Sequence, residues 1–182
     1  ILQDQKGFMW ISTWNGLARF DGYNFYTYKI QQGDKYHMRS NRIDFMCLDK
    51  YGYIWTLPYD NEPHRFDPRT DQFMGIRSQE KYKNLTFNAS KIIPVASGKV
   101  WLISANMGCI CVTDSMFNID LFNVENNRIN GNMVHHVYED KDLNSWILTN
   151  NGLYHLSADG QKLNSFFSEN TQKEVAQNFY ST

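Results

Sequence analysis

The chain has 182 residues, a formal net charge of −1, and a composition that is 42% hydrophobic and 20% charged; that is enough apolar material for a sizeable core and excludes disorder as a description of the whole. Without an excess of Lys and Arg there is no basic field to attract phosphates, so nucleic acid is not an expected partner. No stretch reaches the roughly 20 apolar residues of a membrane-spanning helix, and the chain opens on Ile1 with no basic-then-apolar leader, so a mature or excised piece that itself makes no membrane contact is expected.

Aromatic residues reach 15%, which favours strands, because flat side chains pack well on a pleated surface. Trp10, Trp55, Trp101 and Trp146 recur at steps of 45, 46 and 45 residues. A period of about 45 residues is the length of a four-stranded propeller blade.

In chain order, the first repeat has a turn at Asp4-Gln5-Lys6-Gly7, then Trp10, then Gly16 ahead of the apolar run Leu17-Ala18-Arg19-Phe20. The second repeat is the clearest. Residues 43–48 alternate as an inner strand, 53–57 form the second, 63–67 the third and 72–76 the edge, with Asn61-Glu62 where the first repeat has Gly. Asp49-x-x-Gly52 supplies the Asx-type bond and the left-handed residue of a tight hairpin. The third repeat runs through Ser97-Gly98, Trp101, Gly108 and the strand Cys109-Ile110-Cys111-Val112; the fourth through Asp140-Lys141-Asp142-Leu143-Asn144, Trp146, Gly152 and Leu153-Tyr154-His155-Leu156. In three of the four repeats an Asp lies six residues before the Trp.

Asn41, Asn88 and Asn132 each open an apolar run about fourteen residues before a Trp, and Asn178 is next in line. At the other end, Ile1-Leu2 is matched to Cys47-Leu48 and Tyr138-Glu139. The predicted fold is all-β: about four antiparallel blades spanning 1–40, 41–87, 88–131 and 132–177, with 178–182 beginning another, as a partial segment of a larger propeller. One Trp per blade is expected to pack between neighbouring sheets.

Residues 7–25, Gly-Phe-Met-Trp-Ile-Ser-Thr-Trp-Asn-Gly-Leu-Ala-Arg-Phe-Asp-Gly-Tyr-Asn-Phe, closely resemble the two-component regulator propeller repeat, and residues 146–153 resemble it well. Pro58 and Asn61-Glu62-Pro63 depart from the pattern in the second repeat, and Asn106-Met107-Gly108 in the third. The resemblance implies a piece of the periplasmic sensor of a hybrid two-component system, of the kind found in glycan-degrading gut bacteria. It implies an oligosaccharide ligand, dimerisation in the full receptor, and a kinase that is not in this segment. The segment is then non-catalytic, needs no cofactor, and packs against the remaining blades or another copy of the chain.

Strand alternation leaves the turns between second and third strands, with the connections between blades, as the places where side chains are free to meet a ligand. They are Trp14-Asn15, Tyr59-Asp60-Asn61-Glu62, Asn106-Met107 and Asn150-Asn151, joined by Tyr36-His37-Met38-Arg39 from a long inter-blade connection. Trp14 and Tyr59 offer flat faces to a sugar ring, and the Asn, Asp and Arg residues of these loops can take its hydroxyls or an acidic group. Alternatively, Trp14 tucks into the neighbouring blade and these are ordinary surface loops.

No nucleophile elbow, phosphate loop, paired metal-ligand motif or Cys-x-x-Cys is present. Asp140 to Asn144 is read as a hairpin turn and not a calcium loop, because a central Gly and the closing Glu are missing. His135 and His136 are strand neighbours that face opposite sides and hold no shared metal. Cys47, Cys109 and Cys111 are read as small buried hydrophobes. Asp60, Glu62, Asp120 and Glu139 are the carboxylates a glycan-cleaving pair would draw on, with turn or cap roles as their default reading. Asn84-Leu85-Thr86 and Asn88-Ala89-Ser90 match glycosylation acceptors. A propeller enzyme acting on polysaccharide and a protein-binding scaffold therefore stand as rival readings.

Overall fold

The computed structural model describes residues 1–29 and 40–166. These residues form four antiparallel four-stranded sheets in simple up-and-down order. The first holds β1 (Leu2–Gln3), β2 (Met9–Thr13), β3 (Gly16–Phe20) and β4 (Phe25–Tyr28). The second holds β5 (Ile43–Leu48), β6 (Ile54–Pro58), β7 (His64–Asp67) and β8 (Gln72–Gly75). Next come β9 (Lys91–Pro94), β10 (Val100–Ile103), β11 (Cys109–Val112) and β12 (Ile119–Phe122), then β13 (Val134–Glu139), β14 (Ser145–Thr149), β15 (Gly152–Leu156) and β16 (Leu163–Ser165). Two 3₁₀ turns, Ile76–Ser78 and Glu80–Tyr82, bridge the second and third sheets. The sheets are propeller blades.

Alternation along each second strand sends the Trp to one face and its neighbours to the other. Trp10 and Leu17 pack with Ile54, Phe66 and Phe73 of the second blade. Trp55 and Leu57 pack with Val100, Leu102, Ile110 and Phe117 of the third, and Trp101, Ile103, Cys109 and Cys111 with Ile147, Tyr154 and Leu156 of the fourth. Three apolar seams thus join four blades. The ring of Trp10 meets Phe66 edge-on at 5.5 Å and that of Trp55 stacks on Phe117 at 5.4 Å.

The fourth Trp departs from the expectation that each sits between two sheets. Trp146 is half-buried and packs on His155 and Phe166 of its own blade, at 4.6 and 5.4 Å. Alternation turns it away from the third blade. At the opposite end Met9, Ile11, Phe20 and Phe25 point away from the second blade, with Phe20 stacked on Phe25 at 4.7 Å.

The recurrent Asp has a second role besides the turn. Asp49 Oδ1 accepts the amides of Tyr51 and Tyr53, while Oδ2 accepts the Trp55 indole N–H at 2.8 Å. Asp4 and Asp140 do the same for Trp10 and Trp146, at 2.8 and 3.0 Å. The Trp146 indole, backed by Asn144, holds the Asp140 carboxyl below its ordinary range. In the third blade Val95 takes the Asp position with the same pair of turn hydrogen bonds, and the Trp101 indole nitrogen is buried without a partner among the described residues.

The left-handed turn residue is Gly7, Gly52 and Gly98 in three blades and Leu143, at φ 64°, in the fourth. Smaller differences from the sequence reading follow from pairing. The third strand of the second blade starts at His64, because Pro63 has no amide to donate to the ladder. The edge strand ends at Gly75, where Ile76 enters a 3₁₀ turn. Leu2 lies opposite Trp10 as Cys47 lies opposite Trp55, so Leu2, and not Ile1, matches Cys47.

Two stability outcomes follow. Asp49→Ala strands a buried indole N–H and two turn amides and should cost about 2–4 kcal/mol, read as a fall in the urea midpoint at unchanged slope. Leu143→Gly relieves a left-handed side chain and should stabilise by roughly 0.5–1 kcal/mol after the added chain entropy; a lower melting temperature would contradict this.

Candidate functional site

In an up-and-down blade the turns between second and third strands lie on the same face as the connections from one blade to the next. On that face backbone hydrogen bonds tie neighbouring blades. Gly16 N donates to Asn41 O and Gly108 N to Asn132 O, both at 2.8 Å, and Ala89 N donates to Asn61 O at 2.8 Å. Two of the Asn landmarks, Asn41 and Asn132, therefore sit at blade junctions, Asn88 directly precedes the residue that makes the third, and Asn178 lies outside the described residues. A side chain at Gly16 or Gly108 is excluded, since a Cβ would fall 2.3 and 2.0 Å from the carbonyl oxygens of Tyr28 and Phe122.

The first junction brings together three side chains that lie far apart in sequence. The Arg42 guanidinium lies over the rings of Trp14, at 5.2 Å, and Tyr59, at 4.6 Å. The Tyr59 amide donates to the Arg42 carbonyl at 3.0 Å, which fixes the second-blade turn against the start of β5. Arg42 Nε donates to Asp44 Oδ1 at 2.7 Å. Asp44 sits at a β-bulge where the β5–β6 register shifts. A bulge re-aims a side chain that regular pleating would send elsewhere. Trp14 stays 82% exposed and Tyr59 63%, so the outer surface of each ring is open to water. Trp14 is not tucked into the next blade.

Other predicted site residues have different company. Glu62 forms a two-pronged ion pair with Arg77, its Oε1 accepting Arg77 Nε at 2.8 Å, and both side chains are largely buried. The Glu62 carboxylate raises the Arg77 pKa. Asp60 accepts the Glu62 amide at 3.2 Å, and Asn61 takes a left-handed turn at φ 61°. The Thr13 hydroxyl caps the turn that holds Asn15, accepting the Asn15 backbone N–H at 3.0 Å. Asn106, Asn150 and Asn151 lie on the same face in the third and fourth blades. Asn151 Nδ2 donates to Asn130 O at 2.8 Å, and Asn150 Oδ1 occupies the space that a side chain at Gly131 would need. No hydrogen bond or ring contact among the described residues links these three to the Trp14 cluster. His37 and Arg39, with Tyr36 and Met38, lie outside the described residues.

The residues weighed for catalysis are dispersed. Glu139, on the opposite face from Glu62, accepts the Ser97 amide across the third seam at 2.8 Å. Asp120 is exposed on an outer strand. Burial pushes the thiols of Cys47 and Cys111 up to about 12, and that of Cys109 further. No group of three His, Cys, Asp or Glu that could hold a metal occurs among the described residues. The register shift between Val134 and His136 interrupts the alternation assumed for His135 and His136.

Arg42 is the residue that sequence reasoning missed. Its signal was positional: it follows the Asn41 landmark directly, and that landmark marks a blade junction.

No protein-family profile and no curated protein sequence matches the chain. Solved structures do. The extracellular domain of a provisionally assigned hybrid two-component system from B. thetaiotaomicron matches 92% of this chain at 20% identity and a TM-score of 0.65. Virginiamycin B lyase from Staphylococcus aureus, with quinupristin, matches 93% at 15% identity and a TM-score of 0.58. YCF48 from Cyanidioschyzon merolae matches 87% at 12% identity and a TM-score of 0.54. The chain spans 24% of the two-component protein's domain and 55% of each of the other two. These likenesses establish the propeller fold.

Removing the Glu62 carboxylate leaves Arg77 largely buried and without its carboxylate. Glu62→Ala should therefore lower stability by about 1–3 kcal/mol, measured by thermal melting, while leaving the Trp14 fluorescence environment unchanged; a shifted Trp14 signal would place Glu62 within the aromatic cluster.

Proposed function

We propose that this chain is a ligand-sensing propeller segment of the extracytoplasmic, periplasmic part of a hybrid two-component receptor, and that it recognises an oligosaccharide without cleaving it. The observation that carries the reading is the pair of open aromatic rings, Trp14 and Tyr59, held on one guanidinium at a blade junction. Sugars present apolar C–H faces that pack on such rings and hydroxyls that bond to planar polar groups. The likeness in fold to an extracellular two-component domain is consistent with a sensor. Dispersal of Glu62 and Glu139 to opposite faces argues against a cleaving pair, which needs its carboxylates within roughly 5–10 Å.

In this reading the apolar ends are seams awaiting further blades. Met9, Ile11, Phe20 and Phe25 correspond by register to Ile54, Thr56, Phe66 and Phe73, which the first blade covers. Ligand binding biases a receptor dimer, and a kinase elsewhere in the receptor responds.

Isothermal calorimetry of the intact receptor ectodomain against an oligosaccharide panel, repeated with Trp14→Ala and Tyr59→Ala, is the test. We expect at least one ligand, with affinity reduced about tenfold by either change, as for loss of one stacking contact. Absence of binding across the panel would refute the sensing role.

A further inference from the structure

The cluster at the first blade junction has a charge character that narrows its ligand. The guanidinium of Arg42 is held by two aromatic faces, and its Nε by Asp44 Oδ1 at 2.7 Å. Both charged side chains remain about two-fifths exposed, at 40% and 42%. The pair is therefore neutral overall and reachable from water. Among the described residues, Arg42 Nη1, Arg42 Nη2 and Asp44 Oδ2 make no hydrogen bond. Two donors in a plane stand beside one acceptor.

That inventory suits one kind of group. An anionic substituent would approach Arg42 with the Asp44 carboxylate already beside it. Like charges this close cost binding energy. Vicinal hydroxyls have the opposite preference, since each both donates and accepts. One pair of hydroxyls can take the Nη edge of Arg42 and give a proton to Asp44 Oδ2, while the C–H face of the ring lies on Trp14 or Tyr59.

Resting on the sensing role above, we infer that Trp14, Arg42, Asp44 and Tyr59 form a subsite for an uncharged sugar unit, selected against uronic acid and sulfated units. Asp44 is the discriminating residue. Two positions on from Arg42, it holds its carboxylate against the guanidinium, and without it the same Arg would favour an anion.

The test uses the intact ectodomain and paired probes: neutral xylo-, manno-, gluco- and galacto-oligosaccharides against oligogalacturonate and sulfated galacto-oligosaccharide. Calorimetry gives affinity, and the Trp14 indole N–H resonance reports contact. A neutral probe should bind and shift that resonance. Arg42→Ala and Arg42→Lys should each weaken it roughly tenfold to a hundredfold, the range for a hydrogen bond to a charged group. Asp44→Asn should weaken the neutral probe and strengthen the acidic ones. Melting curves separate binding loss from unfolding, and Arg42→Lys keeps the charge while removing the plane. Neutral binding indifferent to Arg42 and Asp44, or wild-type preference for an acidic probe, overturns the subsite while the sensing role stands. Failure of every probe to bind overturns both.

Discussion

An indole wedged between two sheets is the contact on which the rest depends. A four-stranded antiparallel sheet has two apolar faces and cannot bury either alone. The fully buried Trp10, Trp55 and Trp101 fill the gap between consecutive blades, and truncating a buried Trp in such a seam typically costs about 3–5 kcal/mol. Each indole also carries one N–H that must find an acceptor away from water. The Asp six residues earlier supplies it, with one carboxylate oxygen for the turn and the other for the indole. One side chain thereby couples the hairpin's geometry to the Trp rotamer and so to the next blade.

The third blade shows how this coupling is relaxed. Val95 keeps the turn's backbone bonds but leaves the Trp101 N–H without a partner among the described residues. A different carboxylate reinforces that seam, because Glu139 of the fourth blade binds the Ser97 amide across it. The fourth blade keeps its Asp but puts Leu143 in the left-handed turn position. Neither change breaks the repeat, because both blades keep the backbone hydrogen bonds of the turn.

The candidate site is a by-product of the same construction. Blade junctions place a turn of one blade, the start of the next first strand and a second turn at one spot. At the first junction those positions are Trp14, Arg42 and Tyr59. At the second, Glu62 and Arg77 neutralise each other in a largely buried pair that braces the turn. Equivalent loops thus serve binding in one place and bracing in another, according to whether their side chains are satisfied internally.

The Trp period, the Asp-to-Trp spacing, the turn glycines and the Asn landmarks were enough to read four blades, their strand order and the face carrying the open turns. All of these are local: a hairpin's turn residue and a strand's alternation are set by neighbours within about ten residues. The second-blade strands were read to within one residue. Trp14 and Tyr59 were legible as exposed aromatics because they stand in turns. What the sequence could not decide was company. Arg42 meets Trp14 and Tyr59 only when two blades pack. Glu62 loses its availability to Arg77, 15 positions away, and Trp146 differs from its three counterparts only because no described sheet covers its face. Charge and exposure in a packed protein are properties of the neighbours across a seam, and the seam exists only in the tertiary structure.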